Sequence, residues 1–168
     1  MRDRLQDLLI EELQDLYSAE TQIIEALPML EKEVTTPELK EALKNHLQET
    51  KMQVTRLKKS LELLKADVGR KRCKAMEGIL AEGHDILREH AKSIVRDAAI
   101  IGACQKVEHY EIAGYGTACA HAKLLELAHV EDLLKETLAE EASADKKLSK
   151  IAEGSFFTEG VNQKAALS

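Results

Sequence analysis

The sequence is short of chain breakers. It has two prolines, Pro28 and Pro37, and eight glycines among 168 residues. Few breakers in a chain rich in Leu, Ala, Glu and Lys favour long helices. No strand-like alternation of apolar and polar residues stands out. No run of about 18 apolar residues occurs, which excludes a membrane-spanning helix from the expectation. The stretch Met1–Asp15 has no signal-peptide apolar core. Cysteine is sparse and odd in number, with Cys73, Cys104 and Cys119 and no CxxC. Cys104 and Cys119 fall on one expected helix, roughly 22 Å apart at the helical rise, and cannot pair. Free thiols in a reducing cytoplasm are the expectation. Positive charge is also short: the formal net charge is −6, the reverse of the basic face a nucleic-acid binder carries. The local basic run Gly69–Arg72 with Lys74 reads as a solvated loop beside a helix start. There is no nucleophile elbow, phosphate-binding loop or zinc-type cysteine cluster.

What remains fits one soluble domain with a sizeable core, 44% hydrophobic and 32% charged. Helix A is expected over Arg4–Glu33, with Leu9, Leu13, Leu16, Glu20, Ile23, Leu27, Leu30 and Val34 at steps of three and four. Pro28 is expected to bend it. Thr36 reads as an N-cap and Pro37 as the first residue of helix B, Glu38–Ala66. The connection is short, so helix B returns antiparallel. Its stripe is Leu39, Leu43, His46, Glu49, Gln53, Leu57, Leu61 and Leu64, polar at the centre and leucine at both ends. Gly69 ends that helix, and a crossover carries a short helix over Lys74–Glu89. Helix C, Ser93–Leu127, has Ile94, Ala98, Ile101, Gln105, Glu108, Glu111 or Ile112, Tyr115, Cys119 and Ala122 inward. Helix D, Val130–Ala152, has Val130, Leu134, Thr137, Glu141, Ala144 or Asp145, Leu148 and Ala152 inward. The fold class is all-α: a four-helix bundle of two antiparallel hairpins over residues 1–153. Residues 154–168 form a C-terminal tail, polar except at Phe156–Phe157, that docks or frays.

Each apolar stripe is interrupted by acid: Glu20, Glu49, the pair Glu108 and Glu111, and Glu141. The halves echo each other, with 29 residues from Glu20 to Glu49 and 30 from Glu111 to Glu141. A carboxylate inside a bundle is costly unless it is paired or bound to metal. Several that converge repel one another and call for a cation. Spacings of three and four place side chains on one helix face, so Glu108 pairs with Glu111, and Glu141 with Asp145. His46 stands one turn before Glu49, as a ligand or as a hydrogen-bond partner of one. One residue of error turns a helix face by about 100°, and on that ground Glu140 competes with Glu141. Tyr17 and Tyr110 lie within a turn of proposed ligands and either bond carboxylates or pack. His84, His90, His109, His121 and His129 read as surface or packing residues.

The segments Asp15–Glu20 (DLYSAE), His46–Thr50 (HLQET), Cys73–Gly78 (CKAMEG), Gln105–Ala113 (QKVEHYEIA) and Leu138–Glu141 (LAEE) resemble those of the YciF/YciE-type stress proteins of the ferritin-like superfamily. They span almost the whole chain. The resemblance implies a rubrerythrin-like bundle, a di-iron site and a homodimer, with a reaction that the family leaves open. It implies Glu20 as the helix A ligand, Glu49 and Glu141 as bridges, and Glu108 and Glu111 as the paired helix C carboxylates. Where Glu-x-x-His is expected on helices B and D, this chain has Met52 and Ala144; Gln53 and Asp145, one residue on, are candidate substitutes. A site poorer in imidazole is harder and admits manganese or another hard divalent cation as well as iron. No cysteine-rich electron-transfer domain accompanies it.

The expectation is therefore a cytoplasmic, homodimeric protein holding two iron ions, or manganese or another hard divalent cation, and reacting with oxygen or peroxide under stress, with no nucleic-acid or membrane partner. Its metal set is Glu20, Glu49, Glu108, Glu111, Glu141, Asp145 and His46. The rival is a non-enzymatic dimeric bundle with a structural or partner-binding role, in which the polar layer only fixes helix register. An iron-storage cage is weaker, since no fifth helix with caging features is evident.

Overall fold

The computed structural model describes residues 4–168. Four long helices make the bundle: α1 (Leu5–Glu33), α2 (Pro37–Leu63), α4 (Ile94–Leu124) and α5 (Ala128–Glu153), with the shorter α3 (Lys74–Glu89) in the crossover between α2 and α4. Helices α1 and α2 form one hairpin across Val34–Thr36, and α4 and α5 the other across Leu125–Leu127. Around the bundle α1 packs on α2 and α4, and α5 packs on α2 and α4, while α3 lies against α4 and α1. The all-α bundle of two hairpins with an extra crossover helix is thus the fold. No helix among the described residues is long and apolar enough to cross a membrane.

Helix α1 runs through Pro28 without ending. Thr36 is at the N-cap of α2 and Pro37 is the first helical residue, but the Thr36 hydroxyl makes no cap bond. It donates instead to Asp97 Oδ2 (2.7 Å), which also accepts from the Thr36 and Thr35 amides and from the Thr35 hydroxyl. Asp97 is fully buried in the first turn of α4. There its charge meets four donors and the positive end of the helix dipole. The turn of the first hairpin is thereby tied to the start of the second. Arg96 beside it donates to the Glu33 carbonyl and carboxylate (2.8 and 2.6 Å), closing the end of α1.

Helix α2 stops at Leu63, earlier than the sequence suggested, and Gly69 lies beyond it in the loop. The stop is made by Lys65, which takes a left-handed conformation (φ 54°) while the Lys65 and Ala66 amides donate back to Glu62 and Leu61 carbonyls. Glu126 (φ 57°) ends α4 in the same way, with Leu127 donating to Ala122. Both are Schellman ends built without the glycine that suits them. Two other starts are capped by side chains: Cys73 Sγ accepts from the Met76 amide and Ser93 Oγ from the Arg96 amide.

The C-terminal segment docks. A two-stranded hairpin, β1 (Gly154–Ser155) with β2 (Thr158–Glu159), leads into α6 (Val161–Ala166), which packs on α4 and α5 and buries Val161. Gly154 (φ +80°) is required, because a Cβ there would lie 2.3 Å from the Thr158 carbonyl oxygen. Phe156 and Phe157 stay at the exposed tip in an edge-to-face pair.

The apolar interior is divided in two. One cluster holds Ile23, Leu27, Leu43, Ile101, Val107 and Leu148. The other holds Leu9, Leu13, Leu16, Leu57, Tyr115 and Leu134. Along each helix the step from one cluster to the other passes a buried polar residue. Glu20 follows Leu16 on α1, Gln53 precedes Leu57 on α2, Glu111 precedes Tyr115 on α4, and Glu141 follows Leu134 on α5.

Candidate metal centre

Four side chains converge in that polar layer. Ligand atoms of His46 (α2), Glu108 and Glu111 (α4) and Glu141 (α5) lie within 4.8 Å of one another, and all four residues are buried. Glu20 on α1 is fully buried beside them. Its Oε1 accepts from the Tyr115 hydroxyl (2.5 Å), and its carboxyl is close enough to Glu111 to share a proton. The i, i+3 step from Glu108 to Glu111 puts both on the inward face of α4.

The electrostatics are those of an anion cluster without solvent. Burial and the neighbouring Glu141 push Glu20 up to about 8. Burial, with Glu141 again nearby, pushes Glu108 up to about 11. Glu111 is raised well above the carboxyl range by burial and by Glu20 and Glu141. Glu141 is raised to about 7, by burial first and by Glu140 next. Burial acts on His46 in the other sense, pushing it down to about 4, so its ring is neutral and keeps a lone pair. Protein replaces the lost solvation only in part, through Tyr115 on Glu20 and through the facing carboxyls of Glu20 with Glu111 and Glu108 with Glu141. Glu20 Oε2, Glu108 Oε2, both oxygens of Glu111, both of Glu141 and His46 Nε2 are buried with no hydrogen-bond partner. Buried polar atoms are as a rule satisfied, and the atoms orphaned here are ones that could hold a cation. An oxygen-rich set with one imidazole could hold a hard divalent cation. The residues present fit the group.

The other proposed residues fall outside this inner set. Glu49 is exposed, and Thr50 takes the inward place with its hydroxyl donating to the His46 carbonyl (2.8 Å). Glu49 stands at the rim, near enough to add to the field on Glu141. Asp145 is half-buried on the outer side, accepting from Gln105 Nε2 (3.3 Å) and facing His109 Nε2 (3.4 Å). Gln53 is fully buried, and its Nε2 donates to Glu140 Oε2 (3.0 Å). Between the two acids of α5, Glu141 faces in. Glu140 faces α2, where Arg56 donates to both of its oxygens (2.7 and 2.8 Å) and to Glu136 (2.6 Å). Tyr110 bonds a carboxylate, but that of Asp15 (2.5 Å), and takes the thiol hydrogen of Cys73 (3.0 Å). Tyr17 lies under Lys58 Nζ. The tyrosine that reaches the centre is Tyr115, placed by the sequence in the stripe without a role. Its spacing of four from Glu111 was the available signal.

Comparisons with known proteins agree with this architecture. The family described as a domain of unknown function (DUF892) matches residues 4–166. Protein YciF of Escherichia coli strain K12 is 41% identical over 162 residues, covering 96% of this chain and 95% of that protein. The crystal structure of the E. coli stress protein YciF superposes with a TM-score of 0.85, covering 89% of this chain and 94% of that one. YcfI from Rhodopseudomonas palustris gives a TM-score of 0.86 at 38% identity, covering 89% and 96%. The chain belongs to this YciF-type family.

Proposed function

We propose that this protein binds two divalent cations at the buried carboxylate layer, iron first and manganese or another hard divalent cation second, and serves in a stress response by reacting with oxygen or peroxide. The observation that carries the proposal is the convergence of His46, Glu108, Glu111 and Glu141 within 4.8 Å, buried and without hydrogen-bond partners. Glu20 adds a fifth donor from the remaining helix. Glu49, a turn beyond His46 at the rim, completes a two-cation set when its side chain turns inward. Asp145 sits behind it as an outer acid.

Iron bound here would supply the electrons for reduction of oxygen or peroxide. The chain's own residues set the conditions. Tyr115 fixes the orientation of Glu20 by donating to Oε1. The apolar clusters on either side keep bulk water out and so strengthen each carboxylate–cation contact. The raised carboxyls give up protons as a cation enters, so loading releases protons and weakens at low pH. The E. coli relative's description as a stress protein, the three free cysteines and the family resemblance support the stress role, the cytoplasmic setting and a homodimer.

Elemental mass spectrometry on anaerobically purified, untagged protein tests the reading. About two iron or manganese atoms per chain is the expected result. No metal and no uptake of added Fe(II) defeats it. The weight then moves to a structural or partner-binding bundle whose neutral carboxyl groups hydrogen-bond one another, which the raised proton affinities of Glu108 and Glu111 allow.

A further inference from the structure

The polar layer opens on one side. His46 and Glu108 also line a cavity of about 160 Å³ walled by all five of the longer helices and open to solvent past Asn45, His84 and Lys147. Its walls are apolar, among them Ile23 and Leu27 from α1, Leu43 from α2, Leu80 from α3 and Leu148 from α5. Asn45, Glu49, His84, Ser143 and Lys147 are its polar lining away from the centre. Gly83 of α3 is buried against it, and a Cβ built there meets no atom within 4 Å. That backbone faces open space. Glycine is disfavoured inside a helix, so α3 is weakened at the point where a side chain would fill the void.

Interiors rarely leave voids much larger than a water molecule. A closed apolar cavity of about 150 Å³ takes up benzene, and the apolar inner wall here offers a comparable surface to such a molecule. Water would find few of the two to four polar partners it needs along these walls. The inner end differs: His46 Nε2 and Glu108 Oε2 are buried there without a partner. We propose that this cavity binds a small neutral organic molecule with an aryl or short alkyl body and one O–H head, which pairs with His46 and Glu108. A hydroxyl both donates and accepts, and so serves a ring nitrogen and a carboxyl group together. A carboxylate head would lose its solvation among the apolar walls and meet Glu49 with like charge. The binding needs no cation, and a cation held by His46 and Glu108 would compete with the head, so the test is made on metal-free protein.

The test uses full-length, chelator-treated protein titrated with benzyl alcohol, toluene and benzoate, followed by amide chemical shifts around Gly83 and Ala103. Benzyl alcohol is expected to saturate and to bind at least about tenfold tighter than toluene, the worth of one good hydrogen bond to a buried group, with benzoate weaker than either. Gly83→Leu fills the void and is expected to lose that binding while metal content stays that of the unaltered protein. Ala26→Met, on the opposite wall, serves the same purpose if the first variant does not fold. No saturable shift, equal binding of toluene and benzyl alcohol, or undiminished binding in a folded, plugged variant overturns the proposal. Protein that binds benzyl alcohol but takes up no metal upholds it and defeats the metal centre; metal without alcohol binding does the reverse.

Discussion

Tyr115 on α4 donates its hydroxyl to Glu20 Oε1 on α1 at 2.5 Å, and both side chains are fully buried. The bond joins the two hairpins at the level of the carboxylate layer and leaves Oε2 as the oxygen free to face a cation. Tyr115→Phe keeps the ring and removes the donor. It is expected to lower stability by about 1–3 kcal/mol, the usual loss when a buried acceptor is orphaned, measured by urea denaturation in chelator. Metal affinity should fall with it, since Glu20 loses its fixed orientation.

The metal-free protein should lose stability as pH rises. An unfolded glutamate ionises near pH 4.5, whereas Glu141 and Glu20 hold their protons to about 7 and 8 and Glu108 to about 11. The folded state therefore binds more protons over this range, and the stability present below pH 4.5 is lost as pH climbs through those values. His46, lowered to about 4, acts in the opposite sense, but only below about 6.5. Between pH 6.5 and 8.5 the carboxyls alone decide. Tm in chelator should drop by at least about 2–4 °C, equivalent to about 1 kcal/mol for a chain of this size. Cation-loaded protein should show little of this slope, and an equal slope in both forms argues against the cation.

Glu141 and Glu140 are adjacent and should behave oppositely. Glu141→Gln is expected to cut metal content to below about half, as it removes a charge from the middle of the donor set. Glu140→Gln should leave metal content intact and destabilise the fold by about 1 kcal/mol through the weakened Arg56 contacts. Metal analysis and thermal melts on the two variants separate the roles.

Asp97→Ala strips four donors of their acceptor in the hairpin turn. A loss of about 3 kcal/mol or more is expected, as for other broken buried networks. Equilibrium unfolding measures it.

Glu126→Gly should stabilise the protein by about 0.5–1 kcal/mol. Position 126 has φ 57°, where glycine is unstrained and Glu is not. Lys65→Gly is the matching change at the end of α2, offset in part by the added freedom of the unfolded chain.

Helix placement was legible because α1 carries a stripe rich in leucine at three- and four-residue steps, and α5 a mainly apolar one through Val130, Leu134, Leu148 and Ala152. Glu20 and Glu141 were found inside for the same reason: each occupies a step of an otherwise apolar stripe. On α2 the stripe misled. From His46 the inward face continues either at Glu49 or at Thr50, which lie about 60° behind and 40° ahead of it. Periodicity does not choose between them. Physics does: the longer, charged side chain reaches solvent, and Thr50 satisfies its hydroxyl on the His46 carbonyl. Arg96 and Asp97 left no trace in the sequence. Their burial depends on a loop 60 residues away, and a charged pair at a helix start looks like surface until that loop is in place. Gly69 drew the eye as a helix stop, while Lys65, with no special signature, performs it.

Arg56 of α2 grips Glu136 and Glu140, one turn apart on α5, across the seam between the two helices. Consecutive helical residues point about 100° apart, so this grip acts as a keyway for the rotation of α5. Turned by one residue, α5 would present Glu140 to the interior and pull it off the guanidinium. A largely buried arginine of α2 thus reinforces the rotation that Val130, Leu134, Leu148 and Ala152 set for α5, with Glu141 inside and Glu140 at the flank.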